Sequence, residues 1–196
     1  MSQRTNASIA AAGRGAQYLA FRLAGEIYAV PVRHVREIIV PLPITAVPNT
    51  PHYIPGVINL RGKIIPILDL RAKFGMKVEE STRETCIVVV EASAEQRVML
   101  MGLLVDAVKD VSTVADDQIE PTPSFGVKVN TAFLSGVAPA PDGVRLLLNV
   151  EKVLTHEESA QVADSLAQAG SLTSLSGEAV APDGTVPAGG QPGKGA

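Results

Sequence analysis

The chain of 196 residues predicts a mainly β protein: two similar small barrels side by side, a few short helices and one C-terminal helix. Three observations carry this. Short apolar runs alternate with turn residues throughout the middle of the chain, as in β proteins with many short strands. Apolar residues make up 46% of the chain but aromatics only 4%, with no Trp, so Val, Ile, Leu and Ala must fill the interior. Such side chains pack well on a pleated surface. Third, the middle repeats itself. Tyr28–Ile38 matches Met101–Val111 in residue class at an offset of 73, and Gly56-Val57 answers Gly136-Val137 at an offset of 80. Asp69–Phe74 answers Asn149–Leu154, also at 80. A period near 75 is too long for a solenoid, but it fits two small closed sheets, because closure removes exposed edges.

The elements follow in order. Residues 1–16 are Ala, Gly, Ser and polar, and read as a disordered tail, because such a segment buries too little apolar surface to offset its ordering entropy. Tyr18–Leu23 alternates, Gly25-Glu26 turns, and Ile27–Val30 returns. Gly56–Leu60, Arg61-Gly62 and Lys63–Leu68 read as a hairpin, with Gly62 supplying positive φ. Asp69 caps a short helix that Gly75 stops. Thr85–Glu91 is a continuous apolar strand, Arg97–Val105 pairs with it, and Val144–Leu148 is the last strand. Asn149–Leu154 reads as the partner of the Asp69 helix. Glu157–Ala169 carries Val162, Leu166 and Ala169 at helical spacing, with acidic residues in the first turn. Residues 170–196, rich in Gly, Pro, Ala and Ser, form a second disordered tail, and its Gly-Lys-Gly lacks the strand and helix of a phosphate loop. The expected division is therefore 17–80 and 81–155 for the two barrels, then a helix over 156–169.

Charge differs between the halves. Residues 17–77 hold eight Lys/Arg and three Asp/Glu; residues 78–169 hold six and fifteen. The difference reads as drift on solvated surfaces, or as halves that face different partners or meet one another. The net charge of −3 gives no basic field for nucleic acid or anionic lipid. No apolar run is long enough to span a bilayer and the N-terminus has no apolar signal core, so a cytoplasmic protein without direct membrane insertion is expected.

Reactive groups do not converge. His34, His52 and His156 share no ligand spacing, and the single Cys86 completes no metal set, so no metal and no cofactor is expected. Cys86 opens an apolar run and reads as a buried, inert thiol. Asp116-Asp117 reads as the cap of a turn rather than a general acid–base pair, and Ser135-Gly136 has no nucleophile elbow around it. The chain is expected not to be an enzyme.

Asn49-Thr-Pro-His-Tyr-Ile-Pro-Gly-Val-Ile-Asn-Leu-Arg-Gly-Lys-Ile-Ile-Pro-Ile-Leu-Asp-Leu-Arg71 resembles the signature of CheW-type chemotaxis coupling proteins. The resemblance runs from about Gln17 to Leu154. It takes in Val35-Arg-Glu-Ile38, Gln118-Ile-Glu-Pro121 with Phe125, Leu134-Ser-Gly136 and Asn149–Leu154. It implies two SH3-like five-stranded barrels and a scaffold without catalysis. The implied partners are the cytoplasmic tip of a chemoreceptor, the regulatory domain of the histidine kinase CheA, and other CheW copies in rings. No kinase, phosphotransfer or receiver segment fits in this length, so a stand-alone adaptor is implied. A CheW-like scaffold of surface motility or second-messenger control would look the same in sequence.

By position in the family pattern, Val32, Val35 and Val108 are candidates for the receptor surface; the residues alone read equally as ordinary core. Glu37 and Arg61 carry over as the charged pair near the partner surfaces. Gly62, Ile119, Glu120 and Phe125 are the kinase-side candidates. Phe125 either anchors a protein contact or plugs a barrel end. Glu120 stands where related sequences often carry a basic residue.

Overall fold

The computed structural model describes residues 15–94, 97–122, 132–141, 143–155, 157–158 and 160–162. Ten strands dominate it. They are β1 (Gly15–Leu23), β2 (Glu26–Pro31), β3 (Val35–Ile39), β4 (Gly56–Leu60), β5 (Lys63–Asp69), β6 (Cys86–Ala94), β7 (Arg97–Val105), β8 (Ala107–Ala115), β9 (Leu134–Ala140) and β10 (Gly143–Leu148). Helix α1 covers Leu70–Lys73, and 3-10 turns cover Val32–His34, Asp116–Gln118 and Val150–Lys152.

The strands form two five-stranded sheets, in the orders β8-β1-β2-β10-β9 and β3-β6-β7-β5-β4. Three apolar clusters follow from strand alternation, since successive side chains point to opposite faces. In β1, Tyr18 and Ala20 enter the interior of the first sheet with Ala29, Ala138 and Leu147. Leu19, Phe21 and Leu23 face the other way, into a larger cluster shared with the second sheet. In β6, Ile87 and Val89 enter the interior of the second sheet, and Val88 and Val90 enter the shared cluster. A strand buried on both faces has to read as an unbroken apolar run, as Ile87–Val90 does.

The repeat is real in register. The β2–β10 parallel pair sets Leu147 against Ala29; the β5–β7 parallel pair sets Ile67 against Gly102. These are the same positions shifted by 80 and 73. The isolated bridges Thr45–Val57 and Glu120–Val137 are likewise equivalent, each joining the segment after one end strand to the strand at the opposite end of its sheet. Two short backbone hydrogen bonds make each bridge, at 2.8 and 2.9 Å in both cases. In this way each sheet curls back towards itself.

The expected cut near residue 80 does not separate the sheets. The first sheet takes β1 and β2 from one repeat and β8–β10 from the other; the second takes β3–β5 and β6–β7. Sequence similarity marks the repeats, whereas strand pairing exchanges them. The charge imbalance matches this exchange. Arg22 pairs with Glu84, Arg36 with Glu91, Arg71 with Asp106 and Glu79, and Lys73 with Glu158. The basic half and the acidic half meet one another.

Gly15 and Ala16, expected in the N-terminal tail, begin β1. Residues 1–14 and 170–196 lie outside the described residues, as do 163–169 of the expected C-terminal helix. Glu157, Glu158 and Ala160–Val162 are helical. The helix starts with a capping box: Thr155 Oγ1 accepts from the Glu158 N–H at 3.3 Å and Glu158 Oε2 accepts from the Thr155 N–H at 2.7 Å. Asn149–Leu154, expected to match the Asp69 helix, holds only a 3-10 turn, but its cap is equivalent. Asn149 Oδ1 accepts from the Glu151 N–H as Asp69 Oδ1 accepts from the Arg71 N–H.

Candidate docking surfaces

The β3 edge is built by a bulge. β3 pairs with β6 through Val35 opposite Val90 and Ile38 opposite Val88, with the register shifting between Val35 and Glu37. Directly opposed residues in an antiparallel pair share a face. Val35 and Ile38 therefore point with Val88 and Val90 towards the shared cluster, although they are three residues apart. Val35 is partly buried against that cluster, as is Val32 in the preceding 3-10 turn. Ile38 is 45% exposed. The apolar core between the sheets thus reaches solvent along β3.

The equivalent edge of the first sheet repeats the arrangement. Val108 opposes Phe21 and Val111 opposes Leu19 across the same kind of register shift. Val108 packs against the shared cluster and Val111 is 53% exposed. The structure brings Val32, Val35 and Val108 to one cluster, Val35 by the Val90 end of β6 and Val108 by Cys86 at the other end. Burial pushes the Cys86 thiol up, and the backbone of Val108 bonds it.

Glu37 and Arg61 come together. The guanidinium donates two hydrogen bonds to the carboxylate, at 3.0 and 2.8 Å, from the β4–β5 turn to β3. The pair spans the two end strands of the second sheet. Arg61 is 76% exposed, so the pair adds only about 0–1 kcal/mol to stability, and its geometry is the larger part of its meaning. The hairpin and the positive φ of Gly62, 85°, are as expected; Arg61 also has positive φ, 53°, as a two-residue hairpin of the I′ kind requires, and the Asn59 carboxamide accepts from the Gly62 N–H at 2.8 Å.

Gly62 therefore sits beside Arg61 on the second sheet. Ile119 packs into the interior of the first sheet, and the exposed Glu120 is held by its backbone to Val137. These kinase-side candidates lie on different sheets, and Phe125 lies outside the described residues. Sequence reasoning missed Ile38 and Val111, because the bulge breaks the alternation that would mark them. It also missed Arg145, which threads the alanine-lined interior of the first sheet to reach Ser112 and Asp110, with its Nε unpartnered among the described residues.

No group of three or more metal-ligating side chains stands together among the described residues, and no helix there is long and apolar enough to cross a membrane. Two curled sheets fused along a shared core, with that core surfacing at their rims, make a rigid frame with apolar edges. The profile of the CheW-like domain family matches residues 17–158. The chemotaxis protein CheW of Klebsiella aerogenes is 39% identical over 151 residues, covering 76% of this chain and 87% of its own. The chemotaxis protein CheW of Rhizobium meliloti is 37% identical over 154 residues, covering 79% and 97%. The crystal structure of the scaffolding protein TtCheW from Thermoanaerobacter tengcongensis matches with a TM-score of 0.66 at 33% identity, covering 74% of this chain and 97% of that one. The chain belongs to the CheW-like family, and it is a non-enzymatic chemotaxis scaffold.

Proposed function

We propose that this chain couples the cytoplasmic tip of a chemoreceptor to the regulatory domain of the histidine kinase CheA, in the cytoplasm, within receptor arrays. The observation that supports it most is the apolar rim of Val32, Val35 and Ile38, continuous with the core between the sheets. A helical hairpin presents apolar side chains at intervals of three and four residues and needs an apolar groove with a polar edge. Glu37 and Arg61 supply that edge, and Val108 extends the apolar floor. The kinase side is assigned to Gly62, Ile119, Glu120 and Phe125. Other copies of the chain join it in rings, where repeated modest interfaces give avidity. Signal passes because each partner binds the kinase's active and inactive states with different affinity.

The test is equilibrium binding of a receptor cytoplasmic fragment to wild type and to Val35→Glu. A carboxylate placed against the groove floor lowers affinity at least tenfold while kinase binding persists. Wild-type affinity in a folded Val35→Glu protein removes the β3 rim from the receptor site.

A further inference from the structure

Among the described residues, the chain crosses between strands of the two sheets at two places. One crossing is the 3-10 turn Val32–His34 between β2 and β3; the other is the single residue Asp106 between β7 and β8. The second crossing is clamped. The Asp106 carboxylate accepts from Arg71 Nε at 2.8 Å, from Arg71 Nη2 at 2.6 Å and from the Ala24 N–H at 2.8 Å. Its own N–H donates to the Arg22 carbonyl at 3.1 Å. Ala24 lies in the β1–β2 turn of the first sheet, and Arg71 in α1, which leaves β5 of the second. One carboxylate thus ties both sheets at the point where the chain passes between them. Arg71 is almost filled: Nη1 also donates to the Lys77 carbonyl at 2.9 Å, and Nη2 reaches Glu79 at 3.2 Å.

α1 carries a second tie two residues on. Lys73 Nζ donates to both Glu158 oxygens, at 2.5 and 2.6 Å, at the start of the C-terminal helix, and Arg22–Glu84 lies near the same end. Among the described residues, the other crossing has no such clamp. The repeat equivalents of Asp106 and Arg71 are Arg33 and Glu151, both exposed, and no bond joins them. The polar bonds of that turn, His34 Nδ1 with the Glu91 carbonyl and Arg36 with Glu91, stay within the second sheet, and across the sheets it is held by Val32 packing against the shared cluster.

We infer that Asp106 is a positioning residue: with Arg71 it fixes the angle between the two sheets at one crossover, whereas the Val32–His34 side is held across the sheets by apolar packing. This deepens the proposed coupling role and rests on it, because partners held on different sheets keep their spacing only if the sheets keep theirs.

The test uses the full chain in a Cys86→Ser background. Spin labels go on Val98→Cys in the second sheet and Val144→Cys in the first, both exposed. Wild type gives one narrow distance distribution, and Asp106→Asn broadens or shifts it. An unchanged distribution overturns the inference with no partner present, so its failure is separate from failure of the coupling role. With receptor fragment and kinase added, Asp106→Asn keeps each binary affinity within about threefold and loses about tenfold in receptor-dependent kinase stimulation. Ile58→Val, a core change that loosens the second sheet internally, keeps its stimulation. Full stimulation by Asp106→Asn, or an equal loss in Ile58→Val, also overturns the inference.

Discussion

Single residues in this fold are decided by what their neighbours leave room for. Three glycines show the range. A Cβ on Gly56 would sit 2.1 Å from the Thr45 carbonyl oxygen, at a φ of +150°, and that oxygen is fixed by the bridge to Val57. Its repeat equivalent Gly136 meets the Glu120 carbonyl oxygen at 2.7 Å. At Gly62 a Cβ meets nothing within 4 Å, and only the φ of +85° opposes it. Gly56→Ala therefore costs about 3 kcal/mol or more, by overpacking against rigid backbone. Gly62→Ala costs about 1 kcal/mol, from the left-handed backbone alone. Chemical denaturation ranks the two, and the reverse order contradicts this account of the bridge. If Gly62→Ala weakens kinase binding far beyond that stability change, the turn surface itself is in the interface. The hairpin turn was legible, because Arg61-Gly62 between two apolar runs names its own backbone geometry. Arg145 was not. Val-Arg-Leu-Leu-Leu looks like a strand with one solvated charge, and only the alanines of facing strands make room for a guanidinium inside.

Among the elements, the C-terminal helix has an attachment that is chemical as well as apolar. Val162 is 1% exposed and joins the shared cluster, while Glu158 binds Lys73, Tyr53 and the Thr155 N–H. Lys73 also lies 4.2 Å from the centre of the Tyr53 ring. Burial alone would raise the Glu158 carboxyl, but the bonds from Lys73, Tyr53 and Thr155 outweigh it and hold it at about 2. The same contacts, with burial first, push the Tyr53 hydroxyl up. A carboxyl depressed in the folded state favours folding above its unfolded value, and that contribution is lost as acid protonates it, because the unfolded chain then binds more protons. The contribution is full above about pH 4.5 and gone near pH 2. The difference in thermal midpoint between wild type and Glu158→Gln is thus constant from pH 7 to pH 5 and closes below that. A gap that persists unchanged at pH 2.5 refutes the latch. The start of the helix was legible from the acidic residues of its first turn, whereas Leu166 and Ala169, which carried its apolar spacing, lie outside the described residues. Its anchor was half legible: Thr155-x-x-Glu158 is a capping-box pattern, but Lys73 and Tyr53 lie some 85 and 105 residues away, and no local rule joins them.

At the scale of the molecule, the repeat was readable and its use was not. Offsets of 73 and 80 report equivalent positions, and equivalent positions pair equivalently, as Leu147–Ala29 and Ile67–Gly102 do. Periodicity says which face a residue takes, not which repeat supplies the neighbouring strand. Two copies with the same pattern are interchangeable at that level, so a division by similarity falls in the 78–84 loop while the sheets run across it. The exchange has a direct consequence. Neither 15–80 nor 81–162 contains a complete sheet, since each holds two strands of one and three of the other. Every buried strand pair between β2 and β10, β1 and β8, β3 and β6, and β5 and β7 then spans the cut. A specific protease site placed in the exposed 78–84 loop of the full chain leaves two pieces that stay associated, because all three apolar clusters are built from residues of both pieces. They dissociate only together with loss of the β-sheet circular dichroism signal, in one transition. The first piece purified in denaturant and diluted alone gives no sheet signal, and mixing with the second restores it. A folded first piece on its own would mean that β1–β2 can close on β3–β5 of the same repeat, and that the exchanged pairing is a choice made by the second half rather than a requirement of the first.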